Sequence, residues 1–149
     1  MTHGARILWK VTGDFAAGTY SRAHEWHFDG GAVIRASSSP SVVPVPLSDV
    51  TGVDPEEAFV ASLSSCHMLW FLDLARRAGF VAESYLDAAE GKMAKQDGKL
   101  WISVVTLRPR VTWAVAPSRE RDAELHHAAH KECFIANSVK TEIRLELED

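Results

Sequence analysis

The chain has 149 residues and a formal net charge of −4, with 46% hydrophobic and 24% charged residues, which indicates one globular domain over residues 1–149. The weak negative charge argues against a nucleic-acid partner, and we expect neither an apolar run long enough to span a bilayer nor a signal peptide. Two cysteines are too few for a secreted disulfide scaffold, so a cytoplasmic protein without a membrane partner is predicted.

The first part of the chain is predicted to form antiparallel strands followed by a long loop. Alternation with period two indicates three strands, over residues 5–11, 20–28 and 32–36. The second strand places Arg22 on one face with His24 and Trp26. Residues 37–54 follow as a loop in which three prolines prevent regular pairing, and its valines indicate that it packs against other parts of the protein.

A long helix is predicted to begin directly after this loop and to carry the first cysteine. Asp54 is a suitable N-cap, Pro55 suits the first helical position, and Glu57 completes a capping box. Apolar residues then recur at three- and four-residue steps, which places Cys66 on the face toward the core. We expect the helix to stop at Gly79, because glycine often ends helices.

The second half of the chain returns to strands around one more helix. Strands are predicted over residues 81–94, 99–108, 110–115 and 139–147. A second helix, capped by Pro117-Ser118, is predicted to run toward Cys133. The order of strands, helix, strands, helix and strand predicts an α+β fold with a mostly antiparallel sheet.

The two cysteines carry the most reactive chemistry in the sequence. A thiol reacts as its thiolate, so a reactive Cys66 needs a cation nearby. Arg22 is the best candidate for that cation, because a guanidinium does not lose its proton. Glu56, in the first turn of the cysteine helix, could hold Arg22 through a bidentate ion pair. The same three residues could instead be an inert core thiol, a solvated strand charge and a first-turn acid.

A competing pattern is a metal site on the second helix. His126, His130 and Cys133 recur at i, i+4 and i+7, with His67 and His127 as further imidazoles. Thiolate and imidazole are zinc ligands, but this spacing is less specific than a doubled Cys-x-x-Cys motif. We therefore expect no metal site.

Two runs of the sequence together resemble the OsmC/Ohr family of organic hydroperoxide reductases. They are Val53-Asp-Pro-Glu-Glu-Ala-Phe-Val-Ala-Ser-Leu-Ser-Ser-Cys66 and Cys133-Phe-Ile-Ala-Asn-Ser-Val139. The resemblance implies that Cys66 is the peroxidatic cysteine, Cys133 the resolving cysteine, and Glu56 the carboxylate that pairs with an arginine. That arginine matches Arg22 best and Arg35 second. The implied fold has antiparallel sheets around a buried cysteine helix, and the implied assembly is an intertwined homodimer with active sites at its interface.

The implied function is an antioxidant one, the reduction of organic hydroperoxides to alcohols through a Cys66 sulfenate and a Cys66–Cys133 disulfide. No bound cofactor is implied. The reductant is an external dithiol, which is a dihydrolipoyl group in the better-known branch. Asp54, Phe134 and Ala136 depart from the family pattern, so the chain is similar to a less characterised branch.

Two further expectations concern the substrate and the alternative to an enzyme. Aromatic side chains of the cysteine helix, with the loop over residues 42–47, are expected to form an apolar wall that favours alkyl peroxides. The alternative function is a non-enzymatic redox-sensing or small-ligand-binding domain on the same fold.

Overall fold

The computed structural model of the chain describes residues 1–148. Contacts divide it into two compact units, Met1–Ala58 and a larger unit that begins at Phe59. Strands and two long helices confirm the α+β fold class predicted from the sequence. The interpretation of residues 1–149 as one domain stays a prediction.

The first unit is built from five short strands. They are β1 (Ala5–Leu8), β2 (Gly13–Asp14), β3 (Thr19–Tyr20), β4 (His24–Phe28) and β5 (Val33–Ala36). β1, β4 and β5 form a three-stranded antiparallel sheet in that order, and β2 pairs with β3 as a small antiparallel ladder. The predicted antiparallel arrangement of the second and third strands is confirmed, since β4 and β5 are antiparallel neighbours.

The predicted strand over residues 20–28 is broken in the structure. Residues 21–23 separate β3 from β4 and lie outside any strand. In this gap the Arg22 N–H donates to the carbonyl of Leu47 in the following loop, at 2.8 Å, instead of joining a ladder. The prediction that Arg22 lies on a strand face is therefore wrong, because a loop contact replaces the strand pairing.

The predicted loop over residues 37–54 is confirmed, and its end is tied to β5. The Val53 N–H donates to the Arg35 carbonyl at 3.0 Å. Gly52 permits this close approach, because a Cβ atom at that position would lie 2.9 Å from the carbonyl carbon of Ala36. The loop therefore returns to the sheet immediately before the cysteine helix begins.

The cysteine helix is α1 (Pro55–Arg77), and its start is held by the predicted capping box. The Glu57 N–H donates to Asp54 Oδ1 at 2.8 Å, and the Asp54 N–H donates to Glu57 Oε2 at 3.3 Å. Two backbone donors that the helix itself cannot satisfy are thus both paired. Gly79 follows the helix with a φ of 89°, a left-handed conformation that favours glycine.

The buried stripe of α1 differs from the predicted one. Leu63, His67, Phe71 and Ala75, spaced by four residues, are its buried side chains. Cys66 is half-buried, which corrects its predicted core-facing position. The helix is apolar on almost every side, so hydrophobic periodicity alone could not select the buried face.

By length and composition, α1 could also cross a membrane, since its best 18-residue window has a mean hydropathy of 1.4. We expected no such run from the sequence, and the helix corrects that expectation. Within residues 1–148 it is the one helix that passes this test, which is weak support for insertion because the core helix of a soluble protein passes it too. The absence of a membrane partner stays a prediction.

The second unit contains the other five strands. They are β6 (Val81–Asp87), β7 (Glu90–Gln96), β8 (Lys99–Leu107), β9 (Pro109–Val115) and β10 (Glu142–Leu145). β7 and β8 form a hairpin at Asp97-Gly98, where both residues have a positive φ. β10 joins β8 in parallel, and β6 pairs with β9 in a separate antiparallel ladder.

Two predicted strands are longer than the observed ones. The predicted strand over residues 81–94 is split at residues 88–89, because its halves pair with different partners, β6 with β9 and β7 with β8. The last strand is confined to Glu142–Leu145, where it meets β8. Alternation along the sequence could not show where each pairing partner ends.

The second helix, α2 (Arg119–Glu132), begins at the predicted cap, where the Ser118 side chain accepts a hydrogen bond from the backbone N–H of Arg121. Two groups of buried residues fix the position of α1. In the first group, Phe71 and Ala75 of α1 pack against Leu125 and Ala129 of α2. In the second group, Leu63 of α1 packs against Val105 and Leu107 of β8. α1 therefore packs between α2 and the β7–β8–β10 sheet.

Candidate functional site

Arg22 and Glu56 line one pocket of about 450 Å³ in the first unit. Three aromatic rings in its wall form a mutual cluster, with centroids 4.8 to 5.9 Å apart; they are Trp9, Phe15 and Tyr20. Val42 of the long loop also lines the pocket, as expected. The aromatic side chains of the cysteine helix do not line this pocket: Phe71 lies fully buried in the core, and Phe59 lines a different pocket, of about 340 Å³.

The guanidinium of Arg22 is held by neighbouring groups at this pocket. Its Nη1 donates to the carbonyls of Gly18, at 3.2 Å, and Tyr20, at 2.5 Å. Its Cζ lies 3.7 Å from the centroid of the Tyr20 ring, a cation–π contact. Within residues 1–148 Arg22 makes no ion pair with Glu56, although both line the pocket. The predicted Arg22–Glu56 pair is therefore not formed within one chain.

Arg35, the second choice for the activating arginine, is engaged elsewhere. Its side chain is 68% exposed, its Nε lies 3.9 Å from Asp49 Oδ2, and its Nη1 donates to Thr51 Oγ1 at 3.1 Å. These contacts fasten Arg35 to the loop that follows β5. Of the two arginines, Arg22 lines the pocket and Arg35 does not.

The two cysteines are neighbours in the second unit, and both are free thiols. Cys133 is the C-cap of α2 and is 1% exposed, whereas Cys66 is half-buried. Burial raises the pKa of the Cys133 thiol, and the nearby Cys66 thiol raises it further. Trp70, one turn after Cys66, packs edge-on against Phe134, the residue after Cys133, with ring centroids 5.5 Å apart.

A buried pair of histidines connects α1 to α2, and the sequence did not predict it. His67 Nε2 and His126 Nδ1 are 3.0 Å apart, and the two rings are parallel within 2°. The ring of Phe71 stacks on His126 with centroids 3.8 Å apart. Burial lowers the pKa of His67 to about 4 and that of His126 to about 3, so both imidazoles are neutral at pH 7.

One signal in the sequence could have indicated this pair. His67 lies four residues after Leu63 and four before Phe71, so it continues the stripe of large residues that the structure buries. The sequence alone indicates only a spare imidazole at His67 and a possible zinc ligand at His126, whereas the structure pairs the two rings. Among residues 1–148 no group of three or more His, Cys, Asp and Glu side chains is arranged to hold a metal ion. The predicted site residues thus form two groups, Arg22 with Glu56 and Cys66 with Cys133.

Comparison with solved structures shows what the chain resembles. An OsmC-like protein of unknown function from Vibrio cholerae O1 biovar eltor is 49% identical, with 99% of each chain covered and a TM-score of 0.97. An organic hydroperoxide resistance protein from Legionella pneumophila is 16% identical, with 100% of this chain and 98% of that chain covered and a TM-score of 0.72. The organic hydroperoxide resistance protein OhrB of Bacillus subtilis is 22% identical, with 97% and 98% covered and a TM-score of 0.70.

The last two likenesses, at such low identity, show a shared fold alone. No curated protein matches this sequence. The profile of the family described as OsmC-like protein matches residues 48–148, a stretch that contains Glu56 and both cysteines. The chain therefore belongs to the OsmC-like family.

Proposed function

We propose that this protein is a thiol-dependent peroxidase that reduces organic hydroperoxides to alcohols. The observation that carries the proposal is the adjacency of two free thiols, of which Cys66 is accessible and Cys133 is buried. Two of the structures that share the fold are named as organic hydroperoxide resistance proteins. The cytoplasm, where thiols are kept reduced, is the location that suits this chemistry.

We assign a different role to each thiol because the two differ in burial. The Cys66 thiolate attacks the distal oxygen of the peroxide, the O–O bond breaks, and the alkoxide takes a proton and leaves as an alcohol. Cys66 is then a sulfenic acid. The raised pKa of Cys133 keeps it a thiol, so it does not compete for the peroxide. Its sulfur then attacks Cys66, the S–O bond breaks, and water leaves.

An external dithiol completes the cycle. It attacks the Cys66–Cys133 disulfide, forms a mixed disulfide, and leaves as its own cyclic disulfide while both cysteines return to thiols. No bound cofactor is needed for these steps, because the electrons come from the dithiol. Dihydrolipoamide is the reductant that we propose first, following the better-known branch of the family.

The role of Arg22 and Glu56 requires a second subunit in this proposal. Glu56 and Cys66 lie ten residues apart on one helix, which corresponds to about 15 Å along its axis. We therefore assign the Arg22 and Glu56 of one subunit to the thiols of its partner, where the guanidinium stabilises the Cys66 thiolate. Several large apolar side chains are more than 60% exposed, which supports a homodimer that covers them; they are Ile7, Phe15, Leu69, Leu86, Leu100 and Phe134.

The pocket indicates which peroxides are preferred. Its aromatic and aliphatic wall can bury the organic group of a peroxide, and each buried methylene contributes about 0.8 kcal/mol. Hydrogen peroxide has no such group. Cumene and tert-butyl hydroperoxides should therefore be consumed faster than hydrogen peroxide.

Steady-state peroxide consumption tests the proposal. Purified wild-type protein with dihydrolipoamide should consume cumene hydroperoxide repeatedly, whereas Cys66→Ser should show no consumption, because a hydroxyl is a far poorer nucleophile. Cys133→Ser is the matched control: it should react once, recycle poorly and over-oxidise at Cys66.

One outcome of this assay would contradict the proposed enzyme activity and favour the alternative function. If the wild-type disulfide forms with peroxide but no dithiol supports turnover, the protein is a redox sensor. Sedimentation at micromolar concentration tests the assembly separately, and a monomeric mass would contradict the assignment of Arg22 to the partner subunit.

A further inference from the structure

The backbone of Arg22 is held by side chains and a loop instead of by a β-ladder. Its N–H donates to the Leu47 carbonyl at 2.8 Å. Its carbonyl oxygen lies 2.8 Å from His24 Nδ1. A carbonyl can only accept a hydrogen bond, so His24 Nδ1 must carry the proton and donate it. The imidazole therefore supplies the hydrogen bond that the Arg22 carbonyl does not receive from a neighbouring strand.

The second nitrogen of His24 is also occupied. Trp26 Nε1 lies 3.1 Å from His24 Nε2, and an indole N–H can only donate, so Nε2 accepts. This contact fixes the neutral tautomer with the proton on Nδ1. The result is a chain of two hydrogen bonds, from Trp26 to His24 and from His24 to the Arg22 carbonyl, and it holds the imidazole in one orientation.

We propose that His24 is a positioning residue for Arg22: its Nδ1–H fixes the backbone from which the guanidinium extends over Tyr20 into the pocket. The inference rests on the proposed function, because it matters only if Arg22 activates the partner's thiol. His24 lines the same pocket, so it is placed to hold Arg22 without an intermediate residue. Loss of the Nδ1–H would leave the Arg22 carbonyl without this donor and let the segment over residues 21–23 shift.

Two substitutions of His24 distinguish its proposed role in positioning Arg22 from a general contribution to the stability of β4. Asparagine places its amide nitrogen the same number of bonds from the backbone as Nδ1, so His24→Asn retains the donor to Arg22. Glutamine places its amide one bond farther out, so His24→Gln loses it. His27 provides a matched control on the same strand, since its imidazole pairs with Glu25 at 2.7 Å and does not contact Arg22.

The alkylation rate of Cys66 at neutral pH, measured in a Cys133→Ser background, is the readout. Arg22→Ala should lower it on the order of tenfold, the effect of removing one opposite charge from a thiolate. His24→Gln should lower it by several-fold, His24→Asn should recover most of that loss, and His27→Gln should match the background. Because His24 acts through Arg22, the Arg22→Ala/His24→Gln double variant should be no slower than Arg22→Ala.

Each outcome decides the inference. Equal rates for His24→Gln and His24→Asn, or a double variant slower than Arg22→Ala, would overturn it, because a purely structural role predicts both. A slow Arg22→Ala with an unaffected His24→Gln overturns the positioning role alone and leaves the proposed function standing. An unaffected Arg22→Ala removes the proposed role of the arginine, and the inference with it.

Discussion

The two units of the chain differ in how they bury hydrophobic side chains. Among residues 1–148 the buried hydrophobic residues lie almost entirely in the second unit, where Phe71 is the largest; Ala36 is the exception. In the first unit Ile7 and Phe15 are each 61% exposed. The first unit thus carries a pocket and a cation but little core of its own, whereas the second unit has a core and both thiols.

This difference indicates that the second unit supplies most of the hydrophobic core, whereas in the proposed function the first unit supplies the activating arginine. A unit with few buried apolar side chains gains little from its own folding and depends on cover from elsewhere. The proposed homodimer provides that cover and also brings an arginine to the thiols. Substitutions in the two units should therefore have different consequences, and three predictions test this.

The largest effect is expected from truncation of the core in the second unit. Phe71→Ala should lower the free energy of unfolding by about 3–5 kcal/mol, because Phe71 is fully buried where α1 packs against α2. Phe15→Ala, in the first unit, should lower it far less and should instead weaken the dimer. Urea denaturation and sedimentation measure the two quantities, and equal losses of stability would contradict the comparison.

The second-largest effect expected is a loss of folding stability at acid pH, caused by two buried histidines of the second unit. The pKa values of His67 and His126 are lowered by burial from 6.5 to about 4 and about 3. Below pH 6.5 the unfolded chain therefore binds protons that the folded chain does not, so stability falls as the pH decreases toward 4 and then 3. The full contribution is present above pH 6.5.

Substitution of the pair tests the source of this acid sensitivity. A His67→Gln/His126→Gln variant cannot titrate at these positions, so its stability between pH 6.5 and 4 should depend less on pH than that of the wild type. His3→Gln, at an exposed position, is the control and should keep the wild-type slope. Thermal unfolding at several pH values measures this, and identical slopes for all three proteins would exclude the histidine pair as the cause.

The smallest effect concerns the helix caps. Asp54→Ala removes the side-chain oxygen that accepts from the Glu57 N–H, whereas the backbone N–H of residue 54 can still donate to Glu57 Oε2, and it should cost about 1 kcal/mol. Ser118→Ala removes one exposed bond at α2 and should cost less. Denaturation midpoints compare them, and a larger cost for Ser118→Ala would show that burial of the cap is not what sets its contribution.

Much of this architecture is determined by the sequence alone. The capping box at Asp54 and Glu57, the Ser118 cap and the turn at Asp97-Gly98 follow from local chemistry, and the structure contains them all. These features can be predicted from the sequence because the residues that form each of them lie within a few positions of one another along the chain. The family also follows from short motifs around the two cysteines.

Only the tertiary structure decided which residues meet across long separations. The break at residues 21–23 arises because Leu47, far along the chain, offers Arg22 a partner. His67 and His126 lie 59 residues apart, so no local pattern could pair them. α1 is apolar on nearly all sides, so the face that it buries is determined by its packing against α2 and β8. Contacts of this kind depend on packing and on hydrogen-bond partners that periodicity along one segment does not contain.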